Sequence, residues 1–296
     1  MNYKRRSFIK TAAAGIAISA LSYEIFGCSS SSKTGASGNI NEFGLQLYTL
    51  RDIISSNPRG ILKQVADMGY KQIEGYEGEQ GIYWGMSNTE FKKYLDDIGL
   101  TMISTHCDIT KDFEKKAAEA AAIGMKYLIC AGYGDEGAMD REEWKKAADV
   151  FNEKGIICKK AGLRFAYHNH DGSFKEHATG FTGQQVLMDN TDPSTIDFEM
   201  DIYWVVTGGQ DPIQWFEKYP NRFKLSHIKD REKGAPLSDR EASVDVGTGG
   251  IDFKKILAVG KEKGLEYYIV EQEKYLNTTP LKAAKTDADY LKKIRI

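Results

Sequence analysis

The sequence predicts an α/β fold, a (β/α)8 TIM barrel. Three observations carry this: strand-like runs alternate with helix-like runs, eight such units fill the chain, and no dinucleotide-binding glycine fingerprint accompanies them. The clearest unit is residues 162–172, GLRFAYHNHDG, where alternating Leu163, Phe165 and Tyr167 lead into His168, Asn169, His170 and Asp171. The side-chain period of two puts His168 and His170 on one face. Three later runs end the same way: TIDFEMD at Asp201, RFKLSHIKD at His227 and Lys229, and YYIVEQE at Glu271. About one strand and one helix separates each from the next.

The other elements follow in order. FGLQLYT opens the barrel, with Gln46 and Tyr48 on one face. Pro58 suits the first turn of a helix over 58–68 and Gly69 its stop. YKQIEGY is the second strand and ends near Glu74. Asn88 caps a helix that Gly99 closes, and LTMISTH then puts Ser104 and His106 on one face. An alanine-rich helix over 112–124, the strand MKYLICAG and a helix over 140–161 lead to the central strand. Residues 174–181 read as a loop and 183–188 as a short helix. Beyond Asp201, Tyr203 and Trp204 stand where a sugar ring can stack. A helix over 210–218 precedes the seventh strand, and a polar loop over 230–250 follows it. Helices over 252–263 and 280–293 flank the last strand.

At 296 residues and 41% hydrophobic composition the chain can bury one large core. Residues 1–28 read as a targeting segment: KRRSFIK resembles a twin-arginine export signal, a short apolar run follows, and Ile25 to Cys28 resemble a lipobox whose cysteine is lipidated. Residues 29–40 read as a flexible tether and 41–296 as the catalytic domain. The expected location is periplasmic or membrane-anchored, with the membrane reached only through a lipid anchor at Cys28. Without the leader, 36 basic residues face 41 acidic ones, a net charge of −5 that disfavours nucleic acid as a partner. Cys107, Cys130 and Cys158 are odd in number and widely spaced, so they suggest neither a disulfide framework nor a metal site.

In a barrel of this kind function sits at the C-terminal ends of the strands. Glu74, His106, His168, His170, Asp201, His227, Lys229 and Glu271 all fall there. A single histidine or glutamate at such an end is ordinarily just hydrogen-bonded; eight on one rim point to chemistry. His168, Asp201, His227 and Glu271 form a mixed nitrogen and oxygen set suited to Mn²⁺, Co²⁺, Zn²⁺ or Fe²⁺, and less to Mg²⁺. Such a metal acidifies the C–H beside a carbonyl. Glu271, Glu74 and His106 are the candidate proton-transfer groups and Lys229 the candidate enolate stabiliser. Gln46, Tyr48, His170, Tyr203 and Trp204 are the candidate substrate contacts, for a small carbohydrate.

The stretches GLQLYTLR, MGYKQIEGY, STH, YHNHD, DIYW, SHIKD, VGTGGIDF and YYIVEQE, in this order from about residue 43 to the end, resemble the xylose isomerase-like superfamily, in particular its sugar phosphate isomerase/epimerase branch. The resemblance implies a metal bound by Glu, Asp, His and Glu from strands five to eight. Asp201, His227 and Glu271 match; the first glutamate is replaced, since the branch's E-N-H stretch reads His168-Asn169-His170. The implied activity is a metal-dependent sugar isomerase or epimerase working by proton abstraction beside a carbonyl. The YHNH form is similar to inosose dehydratases and to enzymes that cleave 3-keto-glycosides, which makes a lyase or hydratase the alternative. A non-catalytic carbohydrate-binding lipoprotein is the alternative of another class. An exported setting favours an unphosphorylated sugar, and no phosphate cradle follows the seventh or eighth strand beyond VGTGG.

Overall fold

The computed structural model describes residues 38–296, so the leader, Cys28 and most of the tether lie outside the described residues. Eight parallel strands close into a barrel: β1 Gly44–Gln46, β2 Gln72–Tyr76, β3 Thr101–His106, β4 Tyr127–Cys130, β5 Arg164–His168, β6 Ile196–Asp201, β7 Phe223–Ile228 and β8 Tyr267–Val270. Each is joined to the next through at least one helix, and β1 closes on β8, pairing Leu45 with Val270. Parallel strands need such crossovers, and right-handed βα units repeated in sequence curl the sheet until no edge is left. Among the described residues no helix is long and apolar enough to cross a membrane.

Local chemistry sets the helix ends. Asp140 and Glu143 form a capping box on the long helix Arg141–Ala161, and Gly162 ends it in the left-handed region at φ 84°. Ser87 and Glu90 do the same for Asn88–Ile98. The main core lies between barrel and helices and includes Trp144, Phe151, Phe165 and Phe198. Inside the barrel, Tyr127, Ile129, Ala166, Leu225 and Ile269 form a separate apolar cluster. Ala166, Leu225 and Ile269 each stand two residues before a site residue, His168, His227 and Glu271. The period of two therefore stacks a polar layer directly on an apolar one.

The cap of Asn88–Ile98 is Ser87 and not Asn88, and three further features depart from the expectations. Strand β1 is three residues long and passes into the 3-10 turn Leu47–Leu50, because the Gln46 side-chain oxygen accepts from the Tyr48 N–H. Gln46 and Tyr48 consequently do not share a strand face. Asp201 caps a helix, Ile202–Thr207, that the apolar β-branched run IYWVVT did not announce. Residues 38–40, assigned to the tether by composition, belong to the domain. Ile40 is buried in the core, Asn39 bridges Arg295, and Gly38 and Ile296 exchange backbone hydrogen bonds of 2.9 and 3.0 Å. The C-terminal segment sits at the pole where the strands begin, Lys292 donating to the Met68 carbonyl just before β2, opposite the pole of His168 and Glu271.

Candidate functional site

Strand register brings the polar side chains together. Asp201 pairs with His227, His168 with Glu199, and Gln46 with Glu74. Above them opens a cavity of about 660 Å³ whose wall includes Tyr48, His106, His168, His170, Trp204 and Glu271. Asp201 and His227 are fully buried and reach the cavity only through their neighbour Glu271.

His227 is the hinge of the site. Its Nε2 lies 2.6 Å from Glu74 Oε1, and its Nδ1 stands 3.3 Å from Glu271 Oε2 and 3.7 Å from Asp201 Oδ2. Glu74 takes further hydrogen bonds from Gln46 Nε2 at 2.8 Å and Ser104 Oγ at 2.5 Å. Burial would raise its pKa, but His106 and His227 hold it well below the usual carboxylate range. Although burial opposes its charge, Glu199 and then Glu271 and Asp201 raise the pKa of His227 well above the usual histidine range, so a cation binding at Nδ1 would displace a proton there while ionised Glu74 keeps the one on Nε2. Both His227 Nδ1 and Asp201 Oδ2 are buried and make no hydrogen bond. These two orphaned atoms, with a carboxylate oxygen of Glu271 within 4.8 Å of them, fit a divalent cation held by Asp201, His227 and Glu271. Asn169 braces this arrangement by donating to the Asp201 carbonyl and accepting from its N–H.

His168 is not part of this trio. Its Nδ1 contacts Glu199 Oε2 at 3.1 Å, within a second group of His106, His168, Glu199 and His227. Burial, then the neighbouring imidazoles, drive its pKa well below the usual histidine range. His106 Nε2 lies between two carboxylates, 2.9 Å from Glu199 and 3.2 Å from Glu74. Although burial opposes its charge, Glu74 and then Glu199 push its pKa up to about 9. Glu199 is pushed up to about 7 by burial and by Glu74. Sequence reading missed Glu199, which is fully buried at the centre of the network. The period of two, which places 199 and 201 on one face of β6, was the available signal.

The remaining sequence candidates divide. His170 lines the cavity, its ring 5.1 Å from that of His168 and 5.5 Å from that of Trp204; burial lowers its pKa to about 4. Tyr48, 40% exposed, stands at the opening. Gln46 is buried and spent on Glu74. The helix after Asp201 turns Tyr203 away: its hydroxyl donates to the Arg240 carbonyl and accepts from the Ala242 N–H, so it anchors a loop. Lys229 is 1% exposed, packed over the rings of Trp204 and Tyr203 and paired with Glu271 at 3.5 Å and with Glu273. It lies behind the wall.

Because Glu74 orients His227, Glu74→Gln is expected to weaken divalent metal binding by about 10–100-fold while leaving the fold intact. Metal titration of the apoprotein checks this; unchanged affinity would show that Glu74 does not orient His227.

An inosose dehydratase of Clostridium beijerinckii is 29% identical over 236 residues, covering 67% of this chain and 78% of that protein. A sugar phosphate isomerase/epimerase structure from Parabacteroides distasonis superposes with a TM-score of 0.72 at 30% identity, covering 88% of this chain and 96% of that one. The structure of an IolI protein with a bound zinc atom has a TM-score of 0.69 at 18% identity, over 84% and 95%, a likeness of fold. The curated dehydratase relatives overturn the isomerase-class assignment made from sequence: they are lyases, and the enzymatic reading itself stands. The family model described as xylose isomerase-like TIM barrel matches residues 62–294, and the chain belongs to that family.

Proposed function

We propose that the protein is a divalent-metal-dependent lyase that eliminates a leaving group, water in the simplest case, from the carbon β to the carbonyl of a keto-sugar. The observation that carries this reading is the trio of Asp201 Oδ2, His227 Nδ1 and Glu271 Oε2, of which Glu271 lines a sugar-sized cavity. The metal, when bound, draws electron density from the substrate carbonyl and makes the adjacent C–H acidic. The donor set suits Mn²⁺, Co²⁺, Zn²⁺ or Fe²⁺ better than Mg²⁺.

Elimination then needs a base for the carbon-bound proton and an acid for the departing oxygen. Glu271 reaches the cavity, and although burial works against its charge, Lys229 and His227 keep it ionised. It is assigned the carbon-bound proton. As the C–H electrons form the new C=C bond, the β C–O bond breaks and its oxygen takes a proton from His106. That imidazole also faces the cavity and is held protonated by Glu74 and Glu199. His170 and Trp204 give the ring a polar contact and an apolar face. A 3-keto-glycoside, with a sugar as leaving group, is accommodated by the same steps. The export signal and the lipid anchor at Cys28 belong to this proposal too, and would place the reaction outside the cytoplasm.

Metal-loaded protein incubated with inosose is expected to release one water, seen by mass spectrometry and by absorbance of the conjugated product. Activity should vanish on chelation and return with metal. A fully metallated protein inert toward inosose and toward 3-keto-glycosides would remove the lyase reading.

A further inference from the structure

The polar loop after β7 carries the sequence VGTGG, the one segment whose glycines suggest a phosphate cradle. In barrels of this type the loops after strands seven and eight are where backbone N–H groups gather around a phosphate. Here the cradle is already filled by the chain itself. Asp230 Oδ2 accepts from the N–H groups of Gly247 at 2.9 Å and Gly249 at 3.0 Å, and Oδ1 from those of Arg231 at 2.8 Å and Ile251 at 3.3 Å. The carboxylate is fully buried, and a Cβ on Gly249 would overlap Asp230 Oδ1 and Arg231 O, so the fit around the internal anion is close. Four donors that would serve a phosphate are spent.

The cavity wall supplies no substitute. Its carboxylates are Glu77, Asp108, Glu241, Glu271 and Glu273, against two cationic side chains, Arg240 and the protonated His106, which is held between Glu74 and Glu199. Arg240 is itself paired with Asp171 at 2.8 Å and laid over Trp204. Of the lysines near the wall, Lys116 serves Glu77 at 2.7 Å, Lys274 serves Glu241, and Lys229 serves Glu271 and Glu273. A dianionic ester entering here would meet a surplus of fixed negative charge and would have to break an existing pair to find a cation. A metal held by Asp201, His227 and Glu271 adds two positive charges, which the carboxylates of Asp201 and Glu271 offset.

We infer that this site selects uncharged sugars and excludes their phosphate esters, because Asp230 occupies the loop cradle and every cation at the wall is already matched by a carboxylate. The inference rests on the proposal that this cavity binds the substrate, and it names the class: a neutral polyhydroxy ketone.

The test is calorimetric titration of the manganese-loaded protein with fructose, inosose and fructose 6-phosphate at physiological salt, in the wild type and in Glu241→Lys, whose substitution is on the exposed rim. Fructose 6-phosphate is expected to bind at least about tenfold more weakly than the tighter neutral ketose, and Glu241→Lys to narrow that ratio by about tenfold. Equal or tighter binding of the ester by the wild type overturns the inference. So does a ratio that the charge reversal leaves unmoved, or the absence of binding by both neutral ketoses. Inosose that binds but is not dehydrated, by a protein also inert toward 3-keto-glycosides, would instead leave this inference standing and remove the lyase proposal.

Discussion

Replacing His227 with alanine should give a folded barrel that purifies without metal and is slower on its substrate by about 10³-fold or more. His227 is the single side chain shared by both clusters of the site, with its Nδ1 toward Asp201 and Glu271 and its Nε2 toward Glu74 and Glu199. Without it, Asp201 and Glu271 offer oxygen donors alone, and the buried carboxylates lose their common partner. They are expected to take up a proton in place of a cation, which spares the fold. Elemental analysis beside circular dichroism decides the matter. Stoichiometric metal in a folded His227→Ala protein would move the ion to a different set of ligands.

The second large effect is expected at Lys229. Methionine is close in length, so Lys229→Met keeps most of the packing against Trp204 and Tyr203 and removes only the charge. Its partners Glu271 and Glu273 remain, and leaving a buried carboxylate without its cation costs about 3–5 kcal/mol. The variant should therefore unfold at markedly lower temperature or denaturant concentration, and a bound metal should recover part of the difference by engaging Glu271. A stability within about 1 kcal/mol of the wild type, measured by denaturant unfolding of the apoprotein, would show that the pairing adds little. The effect works through stability and the ionisation of Glu271, since the ammonium lies behind the cavity wall.

The barrel and the tips of its strands could be read from sequence because both depend on local periodicity. Alternation ending in His168, Asp201, His227 or Glu271 is visible in a window of a few residues, and the architecture carries those windows to one pole. Where a side-chain cap intervenes, the reading failed. Gln46 ends β1 by accepting from the Tyr48 N–H, so the face inferred from alternation dissolves after one residue. Asp201 converts the apolar run after it into a helix through its bond to the Trp204 N–H, which buries Tyr203 and keeps Trp204 at the cavity. Neither cap is marked by composition. Glu199 was hidden differently: on β6 only the terminal Asp201 was taken as functional, whereas the closed barrel brings the residue two positions earlier into contact as well. Membership of the second cluster depends on neighbouring strands, as in the pairing of His168 with Glu199, and a single strand cannot display it.

The paired ends of the domain, Gly38 against Ile296, also have an architectural meaning. The first and last described residues share one pole and the cavity occupies the other, so fraying of the paired ends would leave the site residues in place.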